Sequence, residues 1–100
     1  MITLESVKQY IRVDSEAENA FLQTLMAASE SYMEGAVTNY SARYKKSVTD
    51  NDKWSYKADL ARLMLIADWY EHRLQEEKPV NSAINMILTQ LDTEGAMLDG

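Results

Sequence analysis

The chain has 100 residues and no low-complexity stretch, which points to one domain and argues against a second. Hydrophobic residues make up 46% of it, enough for a core, yet a domain this small buries a limited share of its surface and often depends on partners. A formal net charge of −6, from 16 acidic and 10 basic residues, argues against a surface built to hold a phosphate backbone.

Thr3 is suited to cap a first helix over residues 3–11, in which Leu4, Val7 and Ile11 share one apolar face. Asp14 and Ser15 then offer N-caps. Glu16 and Glu18 follow where a helix N-terminus favours negative charge, so a second helix is expected to start at 16. Its apolar face gathers Phe21, Leu22, Leu25, Met26, Ser29, Tyr32, Met33 and Ala36, opposite Gln23, Thr24, Glu30 and Glu34. Gly35 is a weak point near its expected end at 36.

Residues 38–53 show no helical hydrophobic period. Tyr40, Ala42 and Tyr44 alternate with Ser41, Arg43 and Lys45 as a short extended segment would, so this stretch is expected to be a long polar loop with at most a little strand. Between residues 40 and 57 five basic side chains, Arg43, Lys45, Lys46, Lys53 and Lys57, meet only Asp50 and Asp52. The local charge is +3, leaving −9 for the rest. Such a segment reads as a solvated loop or as a contact for an acidic partner. Long structureless loops are uncommon in compact domains and often functional, which makes Tyr40, Arg43, Tyr44, Lys45 and Lys46 candidate contact residues.

Asp52 is a candidate N-cap for a third helix over residues 54–76, the most apolar part of the chain. Leu60, Leu63, Met64, Ala67 and Tyr70 fall on one side at 100° per residue; Ala58, Leu65 and Trp69 fall nearly opposite. Two readings stand, a central core helix wrapped by its neighbours or a subunit interface formed by Leu65, Trp69 and Arg73. Pro79 ends the next turn, and Asn81 or Ser82 can cap a last helix over 81–92 with Ala83, Ile84, Ile87, Leu88 and Leu91 on its apolar face. Residues 94–100, with Gly95 and Gly100, are expected to fray. The expected fold is all-α: one domain over residues 1–93, built as a bundle of about four helices with one long polar loop between the second and third. Leu22, Leu25, Leu60, Met64, Ile84 and Leu88 should share its core.

The residues of enzyme chemistry are scarce. Without cysteine there is no disulfide framework or thiolate metal site, and nothing calls for an oxidising compartment, which fits cytoplasmic synthesis. The single histidine, His72, has Asp68 four residues before it, but two ligands fall short of the three or four of a zinc site. The pairs Glu16/Glu18 and Glu76/Glu77 point to different helix faces and read as capping and solubility rather than acid–base work. There is no glycine-rich phosphate loop, no basic leader followed by an apolar run, and no apolar run longer than Leu63–Ala67. A non-enzymatic protein with no cofactor, no metal and no membrane segment is expected.

The opening Ile2-Thr3-Leu4-Glu5-Ser6-Val7-Lys8-Gln9-Tyr10-Ile11-Arg12-Val13-Asp14 resembles the start of phage head-tail connector proteins of the gp6-like type, a short helix followed by Leu/Ile-Arg-Val/Ile-Asp. Phe21 to Glu34 is similar to that family's second helix, with its Leu-x-x-Leu-Ile-x-Ala-Ala and later Tyr-Ile-Glu. Ala67 to Arg73 resembles its Tyr-Glu-Asn-Arg segment, and Pro79 to Ile84 the proline before its last helix. The resemblance covers nearly the whole chain in the family's order. One departure is that Thr38-Asn39 is followed by a longer, basic segment where the family often carries Thr-Gly-Arg.

What the resemblance implies is a structural subunit of the virion, made in the host cytoplasm and assembled with copies of itself into a ring, dodecameric in the virion. That ring would dock beneath the portal protein after DNA packaging, join the head to the tail, and meet a tail-side connector or head-completion protein. An acidic subunit around the DNA exit would repel phosphate, so the duplex would pass through without specific binding. A head-to-tail ring needs two different faces per subunit. The competing reading is a small helical DNA-binding or antirepressor-like regulator. It would require a basic recognition helix, whereas the third helix mixes Lys57, Arg62 and Arg73 with Asp59, Asp68 and Glu71. A helical adaptor of a non-phage complex is a further reading, separable by genomic neighbourhood.

Overall fold

A computed structural model describes residues 2–72 and 82–99, and among these the chain is all-α with no strand. Five helices follow one another: α1 (Leu4–Ile11), α2 (Asn19–Ala36), α3 (Tyr40–Asp50), α4 (Trp54–Glu71) and α5 (Ser82–Asp99).

The start of α1 agrees with the sequence. The Thr3 hydroxyl accepts from the Ser6 backbone N–H at 3.1 Å, and the Ser6 hydroxyl accepts from the Thr3 N–H at 2.8 Å. This reciprocal cap satisfies donors that the first turn leaves open. By contrast, α2 begins at Asn19 rather than at 16. Ser15 Oγ accepts from the Ala17 N–H at 3.0 Å, a local bond that competes with helix, and residues 16–18 turn before α2 starts.

The largest correction concerns residues 38–53, where Tyr40–Asp50 form a helix in place of the expected long loop. Asn39 and Asn51 bracket α3, each in the left-handed region at φ 56, a conformation that Asn adopts more readily than most residues. Tyr40 and Ser47 are buried and Arg43 and Tyr44 half-buried, a pattern of i, i+3, i+4, i+7. The period is helical, but polar and aromatic side chains carry it. Further along, α4 ends at Glu71, short of the expected 76, and Arg73 and Pro79 lie outside the described residues. The last helix passes Asp92 and Thr93, where the sequence suggests an end, and continues to Asp99. A single glycine costs only about 1 kcal/mol in a helix, and Ala96, Met97 and Leu98 around it are good helix formers.

The hub is α4, which packs against α1, α2, α3 and α5. Two apolar clusters form on its flanks. Met33, Val37, Tyr40, Trp54, Ala58, Ala61 and Leu65 meet Ile84, Leu88 and Leu91 of α5 in one; Ile2, Val7, Leu22 and Ile66 form the other. The expected core is thus divided. Ile84 and Leu88 belong to the first cluster with half-buried Met64 at its edge, and Leu22 to the second with half-buried Leu25. Leu60 belongs to neither and is 43% exposed.

Candidate functional site

Since the sequence points to no catalytic constellation, the candidate sites are the surfaces that the described residues leave exposed. Of the two apolar sides of α4, the structure buries the Leu65 side, which the sequence leaves open between a core face and a subunit interface. Leu65 has no accessible surface, so it offers nothing to a neighbour of the folded subunit. Trp69 is half-buried, edge-on to Tyr32 with ring centroids 6.0 Å apart and an interplanar angle of 76°. The physical reason lies in Ala58 and Ala61, whose small side chains let α5 close over that side. Counting bulky residues favours the Leu60 side instead. The face of α4 that reaches solvent carries Tyr56 and Leu60, with half-buried Leu63 and Ala67 continuing the line.

The candidate residues of α3 divide in the same way. Tyr40 is buried, and burial pushes its phenol up to about 12 although the Arg62 guanidinium beside it pulls the other way. Tyr44 donates to Asp59 Oδ1 at 2.7 Å; burial first, and then that carboxylate, hold its phenol well above the ordinary value. Both phenols are therefore neutral near pH 7. Arg43 turns inward. Its Nη1 donates to the Asp92 carbonyl at 3.4 Å and lies 3.9 Å from the Asp92 carboxylate, which also accepts the Thr38 N–H at 3.0 Å. Asp92 of α5 thus holds the corner between α2 and α3. Lys45 and Lys46 project from the exposed side of α3. Of the five residues, Tyr40, Arg43 and Tyr44 position the helix, and the two lysines remain at its surface.

Sequence reasoning passed over Arg62. It is 8% exposed, donates from Nε to Ser29 Oγ at 3.0 Å and from Nη2 to the Met26 carbonyl at 2.9 Å, and so ties α4 to the middle of α2. Ser29 in turn donates to the same carbonyl at 2.7 Å. With Ile2, Met26, Glu30, Tyr40 and Tyr44, Arg62 lines a cleft of about 470 Å³. The signal was present: one arginine inside the most apolar stretch of the chain must find partners if that stretch is buried.

Asp68 and His72 do meet, Oδ1 to Nδ1 at 3.3 Å, at the end of α4. Among the described residues no third acidic or histidine side chain joins them to hold a metal ion, and no helix is long and apolar enough to cross a membrane.

A family model described as phage gp6-like head-tail connector protein matches residues 1–96. No curated protein and no solved structure matches the chain significantly.

Proposed function

Because the chain belongs to the phage gp6-like head-tail connector family, whose members are structural components of the virion, we propose that it is one subunit of a homo-oligomeric ring, dodecameric in the virion. The ring docks below the portal protein once DNA is packaged and gives the tail side, a further connector or head-completion protein, its platform. The observation that carries this reading is the family match over residues 1–96, nearly the whole chain.

The physical character of the subunit supports the reading. An acidic chain of net charge −6 repels phosphate, so DNA passes the ring without being gripped. Lys45 and Lys46 stand exposed on α3 and form a local basic edge on this acidic subunit. We place an acidic surface of the neighbouring subunit or of the portal opposite them, where complementary charge sets register and on-rate. The exposed part of half-buried Trp69, and Arg73, which lies outside the described residues, complete the proposed contact surfaces; Leu65 does not belong to them because it is buried.

The test is removal of the gene from a phage that carries it. Packaged heads and free tails should accumulate unjoined, and the wild-type chain supplied in trans should restore tailed particles. Normal tailed particles without the chain would overturn the reading. Charge reversal at Lys45 and Lys46 that leaves joining intact would remove the basic edge from it.

A further inference from the structure

The solvent-facing line of α4 is apolar where an isolated domain would be polar. Tyr56 is 61% exposed and Leu60 43%, and two half-buried residues continue the line, Leu63, whose inner side packs against the second apolar cluster, and Ala67. At its two ends stand exposed Lys53, the residue that precedes the helix, and exposed Glu71, its last residue. Eighteen positions separate these two, about five turns, so they lie on the same line of the helix about 27 Å apart.

The order of side chains along this line is self-complementary under reversal. Turn a second copy end for end about the level of Arg62, and Lys53 comes opposite Glu71. Tyr56 then comes level with Asp68, one residue or about 1.5 Å from Ala67, and Leu60 level with Met64, one residue from Leu63. Each position meets what it lacks: a cation an anion, a large ring the small residue that leaves room for it, a leucine another leucine. A parallel copy would set Lys53 against Lys53 and Tyr56 against Tyr56. Antiparallel packing also opposes the two helix dipoles.

We infer that the Tyr56–Leu60 face of α4 is a docking surface for a second copy of this chain, held with its α4 antiparallel about a two-fold axis that crosses the outer face at the level of Arg62. Such an isologous contact closes at two copies and cannot by itself build a larger ring, so it describes the free chain and does not rest on the connector reading. A subunit joining a ring would part from its twin and use other surfaces for its ring neighbours.

Sedimentation equilibrium of the full chain, at low salt and at high salt, tests the inference. A concentration-dependent dimer is expected, weakened at least about tenfold by Leu60→Glu, since charge at the centre of a small apolar contact removes its main anchor. Because Leu60 is already exposed, this variant should keep the parent's helical circular dichroism. Lys53→Glu and Glu71→Lys should each weaken the dimer, and the two together should restore it. The chain has no cysteine of its own, which permits a geometric arm. A mixture of Tyr56→Cys and Ala67→Cys chains should cross-link on oxidation faster than either alone. A chain that stays monomeric to about millimolar concentration, a dimer indifferent to Leu60→Glu, or faster cross-linking of Tyr56→Cys with itself would each overturn the inference.

Discussion

The guanidinium of Arg62 on α4 donates from Nε to the hydroxyl of Ser29 on α2 at 3.0 Å, and both residues are buried. A charged donor inside the bundle is tolerated because every bond it makes replaces one lost to water, and removing an acceptor leaves the cost of desolvation uncompensated. Ser29→Ala should therefore destabilise the fold by about 1 to 3 kcal/mol. Urea denaturation measures the change. A loss of only a few tenths would mean that water reaches the Arg62 Nε and that the site is wetter than its burial indicates.

The two leucines on opposite sides of α4 should respond in opposite ways to truncation. Leu65, fully buried among Ala58, Ala61 and α5, should cost roughly 2 to 5 kcal/mol as Leu65→Ala. Leu60→Ala should change the stability of the monomer by no more than about 0.5 kcal/mol, as surface substitutions usually do. Thermal unfolding of both variants at concentrations where the chain is monomeric makes the comparison. The reverse ranking would place the core on the Leu60 side.

Alkali should unfold the protein through its buried phenols. Below pH 10 both Tyr40 and Tyr44 are protonated whether or not the chain is folded, so their contribution is complete there. Between pH 10 and about 12 the unfolded chain releases protons that the folded chain still holds, and stability falls as pH rises. The urea midpoint should drop through this window, and it should drop less in a Tyr40→Phe/Tyr44→Phe variant. If the double variant loses as much as the parent, the lysines rather than these two phenols cause the fall.

Duplex DNA should not be retained. At about 0.15 M salt the electrostatic term that dominates protein–DNA affinity opposes a chain of net charge −6, and of the basic residues near α3 Arg43 is already engaged with Asp92. Band-shift titration with an unrelated duplex is the measurement. A sequence-selective, salt-sensitive complex would revive the regulator reading.

How much of this was legible in the sequence depends on what carries the periodic signal. Val7, Leu22, Ile84 and Leu88 are apolar residues on apolar faces, and they are buried as expected. The helix α3 was missed because its inward positions are Tyr40, Arg43, Tyr44 and Ser47, which a search for apolar periodicity passes over. The left-handed Asn39 and Asn51 that delimit it were the local clue. On α4 both sides are apolar, so periodicity finds two candidate faces without ranking them; the ranking comes from Ala58 and Ala61, whose small size admits α5. Asp92, expected only to mark a helix end, binds Thr38 and Arg43 across more than forty positions of chain, a tertiary bond with no local signature.

The place of α4 at the centre of the bundle governs the order in which the newly made chain can become stable. Val7 and Leu22 close over Ile66, and Met33, Val37 and Tyr40 close over Leu65 and α5. Until α4 has left the ribosome, the helices before it have only one another to pack against. Helices as short as the eight residues of α1 and the eleven of α3 are marginal in water without tertiary packing. Synthesis therefore proceeds from the N-terminus with little apolar surface to bury, and the emergence of α4 brings the earlier helices into register together. A chain of this design becomes stable only once α4 is available to it, so segments that stop before α4 lack the fold that assembly needs.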